Sequence, residues 1–126
     1  PHMRRPRWRN VPGTRLTVNV SAQLWTARYG QQLRPLRSLE PSTSGYWVRF
    51  NASNNQGLPF PDVYKIDWRV TNTDEVARRA NALRGDYYRS DDPGVRWEQL
   101  SYRGVHMVEA FLIRKTDDIL LGKSAL

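Results

Sequence analysis

Val63-Tyr64-Lys65-Ile66-Asp67-Trp68-Arg69-Val70-Thr71-Asn72 is the stretch on which the fold turns. Tyr64, Ile66, Trp68 and Val70 share one face at period two, and Lys65, Asp67, Arg69 and Thr71 share the other. Side chains alternate in this way only on an extended strand with one face buried. Upstream, Pro59 and Pro61 cannot donate ladder hydrogen bonds, so they stand before this strand or on an edge. Asn54-Asn55-Gln56-Gly57 is a turn by composition. Before it, Tyr46, Val48 and Phe50 alternate with Trp47 and Arg49 in another strand. Leu16, Val18, Val20, Ala22 and Leu24 share one period-two register in a further, half-buried antiparallel strand. Between these two, residues 27–45 hold Gly30, Pro35, Pro41, Gly45 and a Ser/Thr cluster, and read as a long irregular connection.

Downstream, Asn72-Thr73-Asp74-Glu75 has the form of a capping box, with Asn72 as cap and Glu75 three residues on. Val76, Ala80 and Leu83 follow at helical spacing and Gly85 stands at the C′ position, which predicts a short helix over about 74–83. Asp86 to Arg89 extends into a strand, and Asp91-Asp92-Pro93-Gly94 is a strong turn. Trp97 to Tyr102 and Val105 to Lys115 read as a hairpin turning at Arg103-Gly104. The run from Val105 to Ile113 is apolar on both faces, as in a central strand. Thr116-Asp117-Asp118 turns the chain into a last strand, Ile119 to Leu126. The expected fold is mainly all-β: a two-sheet antiparallel sandwich of about seven strands with one short helix, immunoglobulin-like in outline only.

At 126 residues the chain is one domain, with a core but no room for a synthetase. Pro1-His2-Met3 reads as the scar of a cleaved expression tag. The organisation expected is a tag scar and basic linker over residues 1–9, then a single sandwich over 10–126. The absence of cysteine excludes disulfides and thiolate metal sites and fits a reducing, cytoplasmic setting. No run approaches the ~18 apolar residues of a membrane span. The net charge of +8 is unevenly placed. Residues 1–60 carry nine arginines against the single acid Glu40, whereas residues 61–126 carry eleven basic and eleven acidic residues. Arg4, Arg5, Arg7 and Arg9 supply half of the excess, which suits either a solvated linker or an anionic partner.

Four features recur in a fixed order: the prolines of Leu58-Pro59-Phe60-Pro61, the Trp68-x-Val70-x-Asn72 strand, Leu83-Arg84-Gly85, and Tyr102-Arg103-Gly104-x-His106-x-x-Glu109. Together they resemble the adenylyl/guanylyl-cyclase and SMODS C-terminal sensor domain, AGS-C, over the last two thirds of the chain. The resemblance implies a non-catalytic sensor attached to a bacterial CD-NTase-type second-messenger synthetase of an anti-phage system. It implies an N-terminal synthetase domain in the same polypeptide and a nucleotide or other infection-linked ligand.

The residues themselves give little chemistry of catalysis. Outside the tag there is one histidine, His106, so a multi-histidine metal site is excluded, and no nucleophile, phosphate-loop or zincin motif occurs. No catalytic residue, metal or cofactor is therefore expected. Trp68, Arg84, Tyr102, Arg103 and His106 are the ligand-binding candidates. Each has a structural reading beside the functional one: Trp68 as core anchor or base platform, Arg84 as a helix-end arginine or phosphate contact. His106 is a hydrogen-bonded strand residue or a ligand contact, and Tyr102 and Arg103 shape a turn. Asn72, Gly85, Gly104 and Glu109 are structural members of the motifs. Glu109, inside an apolar run, needs a partner, and Arg84 is the favoured one. Two other functions compete: single-stranded nucleic-acid binding through Arg4, Arg5, Arg7 and Arg9 with Trp8, Trp25 or Trp47 as stacking platforms, and docking of the attached synthetase.

Overall fold

The computed structural model describes residues 2, 3, 8–13, 15–37, 45–72, 86–99 and 106–126; at 2, 3, 71, 72, 86 and 106 it describes the backbone alone. Strands are β1 His2–Met3, β2 Asn19–Trp25, β3 Gln32–Leu36, β4 Trp47–Ser53, β5 Tyr64–Asn72, β6 Asp86–Arg89, β7 Val95–Gln99, β8 His106–Arg114 and β9 Ile119–Ala125. They form a five-stranded sheet in the order β1-β6-β5-β8-β9 and a four-stranded sheet in the order β3-β2-β4-β7. All these pairings are antiparallel. The expected two-sheet sandwich is what forms. The expected helix over 74–83 lies outside the described residues, and no helix occurs among those described.

The strand that decides the fold does so through its apolar face. Ile66 and Trp68 are buried at 5% and 0% exposure, and Tyr64 and Val70 pack against the same cluster. Ala22, Leu24, Val48, Phe50 and Ala52 meet them from the other sheet. The turn at Asn54 is built as its composition predicts. The side-chain carbonyl of Asn54 accepts from the amides of Gln56 (2.9 Å) and Leu58 (3.0 Å), and Gly57 takes φ +77°, a region costly for side chains with a Cβ.

Residues 27–45 differ from expectation in one respect: Gln32–Leu36 forms β3 at the edge of the four-stranded sheet. It carries a proline and is exposed at every position but Leu36, so it shows no alternation to read.

The central-strand reading of residues 105–113 holds, for β8 lies between β5 and β9. Val108, Ala110 and Leu112 face the inter-sheet core. Phe111 and Ile113 make a second cluster with Leu120, covered by Trp8 and Tyr87. The cover comes from the N-terminal segment. Trp8 stacks on Phe111 with ring centroids 4.4 Å apart and meets Tyr87 edge-on at 5.4 Å. Arg9 donates its amide to Asp118 O (2.7 Å) and accepts from the Leu120 amide (3.0 Å), and the Leu16 amide donates to Leu121 O (2.7 Å). Trp8 and Arg9, read from sequence as linker, are thus docked on the five-stranded sheet, and His2–Met3 pairs with β6.

This strap passes the β9 edge at Gly122, where an added Cβ would lie 2.3 Å from Leu16 O. Two backbones cannot both hold that approach, so Gly122→Ala should push the strap off β9. The expected loss is about 1–3 kcal/mol, measured by urea denaturation. An unchanged midpoint would show that the strap does not rest there.

Candidate functional site

The sequence-derived candidates separate once placed. Trp68 is fully buried, and its indole N–H donates to Ser90 Oγ (2.9 Å), which in turn donates to Ile66 O (2.6 Å). It is a core anchor and is closed to ligand. Arg84, Gly85, Tyr102, Arg103 and Gly104 lie outside the described residues. His106 opens β8 directly opposite Asn72, the last residue of β5. That cross-strand pair joins the two motif-bearing strands at one end of the sheet.

Glu109 has a partner other than the one expected. It stands opposite Arg69 in the β5–β8 register, and the Arg69 Nε donates to its carboxylate at 2.6 Å. Arg69 also reaches the Tyr87 hydroxyl (3.3 Å) and lies 5.7 Å from that ring's centroid. Burial by itself would lower the Arg69 pKa, but hydrogen bonding and charge from Glu109 outweigh it and the value rises, so the guanidinium stays charged. The sequence favours Arg84, expected at a helix end, as the partner on this central strand. The register supplies Arg69 from the adjacent strand.

The Arg69–Glu109 pair forms the floor of a cavity of about 460 Å³ on the outer face of the five-stranded sheet. Trp8, Tyr87 and Phe111 supply aromatic surface, and Arg15 and Lys123 bring further positive charge. Arg15 Nη1 donates to Leu120 O at 2.6 Å, which holds the guanidinium against the sheet. A second cavity, of about 800 Å³, lies between the β4–β5 connection and the β6–β7 turn, with Phe60, Tyr64, Arg89 and Asp91 among its walls. Among the described residues, four basic residues and four aspartates line it. Among the described residues no three metal-ligating side chains converge.

On the four-stranded sheet, β7 inverts the usual alternation. Arg96 and Glu98 stand opposite Phe50 and Val48, which face the core, while Trp97 stands opposite Arg49. Arg96 donates to Glu98 (2.6 Å) and lies 4.1 Å from the centroid of the Tyr88 ring on the other sheet. Trp97 is buried on the far side by Trp25, edge-on at 5.0 Å, and by Tyr29 at 5.2 Å. The Tyr29 hydroxyl bonds to Asp92, whose carboxylate raises the phenol pKa. Trp25 is therefore packed within the protein, like Trp8. Trp47, directly across the ladder from Trp25, is half-buried. Arg9 is exposed and donates to Asp117 O (3.2 Å); Arg4, Arg5 and Arg7 lie outside the described residues.

Burial pushes the Glu98 carboxyl above its usual value, an effect that Arg96 opposes and Asp91 reinforces. In the unfolded chain this group loses its proton at lower pH than in the fold. Between the two values the folded state holds the extra proton, so the group's contribution to stability is full below the ordinary glutamate range. It is lost as pH rises through the folded pKa. Glu98→Gln should flatten that limb in urea denaturation over a pH series, and a wild-type-minus-variant difference independent of pH would contradict it.

Comparison with known proteins bears on all of this at once. The family model described as "Adenylyl/Guanylyl and SMODS C-terminal sensor domain" matches residues 1–126, the whole chain. The chain belongs to this family. The match extends beyond the four motifs to the first third, including the strap, where the sequence alone showed only general likeness. No curated protein and no solved structure matches the chain. As an AGS-C member the chain is a sensor domain of cyclase- and SMODS-type proteins.

Proposed function

We propose that this AGS-C domain is the non-catalytic, ligand-sensing regulatory module of an anti-phage nucleotide second-messenger synthetase. It follows the synthetase in one cytoplasmic polypeptide and responds to a nucleotide or another infection-linked ligand. The observation that carries the reading is the family match over residues 1–126. The fold supports it with a concave, aromatic and cationic surface of ligand size, walled by the five-stranded sheet and by the strap docked on it. The nucleic-acid alternative needs a run of open stacking platforms, whereas Trp25 packs edge-on against Trp97 and one face of Trp8 is already taken by Phe111. A docking domain needs no concavity; here the core at Trp68 is filled, but the next residue, Arg69, opens onto one.

Thermal-shift and calorimetric titration of the purified domain with mononucleotides, cyclic nucleotides and short oligonucleotides tests this. Saturable binding of a nucleotide, with a rise in melting temperature, is the expected result. Silence toward all of them at millimolar concentration would remove the nucleotide form of the reading.

A further inference from the structure

We propose that the cavity between Trp8, Tyr87 and Lys123 is the ligand site of this sensor, built for a planar ring bearing phosphate or carboxylate, a nucleotide by class. The assignment rests on the sensing function above and gives it a place. Its volume of about 460 Å³ lies within the range of small-molecule sites. Its aromatic surface comes from three rings brought together by separate parts of the chain: the strap, β6 and β8. Bases bind such surfaces through their π faces, whatever their sequence identity.

Charge decides the other half of the ligand. Among the described residues, Arg15, Arg69 and Lys123 line the cavity against one carboxylate, Glu109. Arg69 takes up that carboxylate, so two cations remain, and among the described residues neither Arg15 nor Lys123 has an acidic partner. The Leu120 carbonyl already orients the Arg15 guanidinium, so little ordering is left for an incoming anion to impose. The larger cavity lacks this bias. Its four basic residues face four aspartates, and Lys115 is bound to Asp62 at 3.0 Å. An anion gains nothing net there.

One wall is the N-terminal strap itself, which contributes Trp8, Asn10, Arg15 and Leu16. The site is complete only while the strap lies on β9 through the Arg9 and Leu16 backbone bonds. A ligand spanning strap and sheet therefore favours the docked strap, and a docked strap favours the ligand by the same factor. Occupancy is thereby linked to the chain segment that enters the domain.

The test is nitrogen-edited NMR of the folded domain titrated with ATP, GTP, CTP and UTP, with affinities of wild type, Trp8→Ala, Lys123→Glu and Asp62→Ala. The expected result is perturbation of the Trp8 indole and of the Gly122 and Lys123 amides. Loss of about tenfold or more in affinity is expected for Trp8→Ala and Lys123→Glu. Asp62→Ala, in the other cavity, should bind as wild type does. Lys123 is exposed, so its variant tests the site even if Trp8→Ala fails to fold. Nucleotide binding that ignores Lys123→Glu, with shifts gathered around Arg89 and Lys115, would overturn the site and leave the sensing function standing. Absence of binding by all four nucleotides would overturn the cavity as a nucleotide site and leave the sensing function to be carried by another ligand.

Discussion

Trp68→Ala should destabilise the domain by about 3–5 kcal/mol, the range for removing a large aromatic from a packed core. Trp68 has no exposed surface, packs against Phe50 of the opposite sheet with ring centroids 6.3 Å apart, and anchors Ser90 beside the β6–β7 turn. Truncation leaves a hole between the sheets and the Ser90 hydroxyl oxygen without its indole donor. Trp68→Phe keeps most of the volume and loses only the indole N–H, so its loss should be smaller, about 1–2 kcal/mol. Urea denaturation of the three proteins checks the order. A Trp68→Ala domain as stable as wild type would return Trp68 to the surface and to the list of ligand contacts.

Arg69→Ala is the second large effect. The Glu109 side chain is only 14% exposed, and without Arg69 it keeps its burial and loses its counter-charge. Breaking a fully buried pair costs about 3–5 kcal/mol; Arg69 itself is 26% exposed, so water can reach the vacated space and about 2 kcal/mol is expected here. Arg69→Ala, Glu109→Ala and the double variant form a cycle whose coupling should be about 1 kcal/mol or more. Arg84→Ala leaves the Arg69 contact in place and should not reproduce the loss. A loss with Arg84→Ala equal to that with Arg69→Ala would restore Arg84 as the partner that the motif order first suggested.

Local patterns were readable wherever a single strand, taken alone, had to choose a face. β5 declared itself because its two faces differ so sharply in polarity. β8 declared itself as central because it lacked such a difference. What the sequence did not reveal was what one segment does to another. Glu109 inside an apolar run called for a partner, yet only the register identifies Arg69 opposite it, because register is set across strands. Trp8 and Arg9 sit among arginines and looked like solvated linker. The uncovered outer face of β8, with Phe111 and Ile113 in need of burial, was the signal that some apolar segment must cross it. β7 misleads for a related reason. Its apolar Val95 and Trp97 turn away from the sandwich, where Trp25 and Tyr29 cover Trp97, while Arg96 and Glu98 satisfy each other and Tyr88 between the sheets. The exposed β3 offered no pattern at all.

The candidate site was legible in the same partial way. None of the five ligand candidates is among the described residues that line the Arg69–Glu109 cavity; Trp8, from the nucleic-acid reading, and Glu109, read as structural, meet there instead. Trp68, the most conspicuous aromatic in the motif set, is the one the core takes, because its strand parity puts it inside. Its neighbour Arg69, one residue on and therefore on the opposite face, is the one that reaches the cavity.

The most direct measurement is a crystal structure of the domain grown with the tightest-binding nucleotide. Density for the base is expected against Trp8 and Tyr87 and for the phosphate near Arg15 and Lys123, with the strap in place on β9. Density seated instead between Phe60, Arg89 and Asp91, with the Trp8 cavity empty, would contradict this placement.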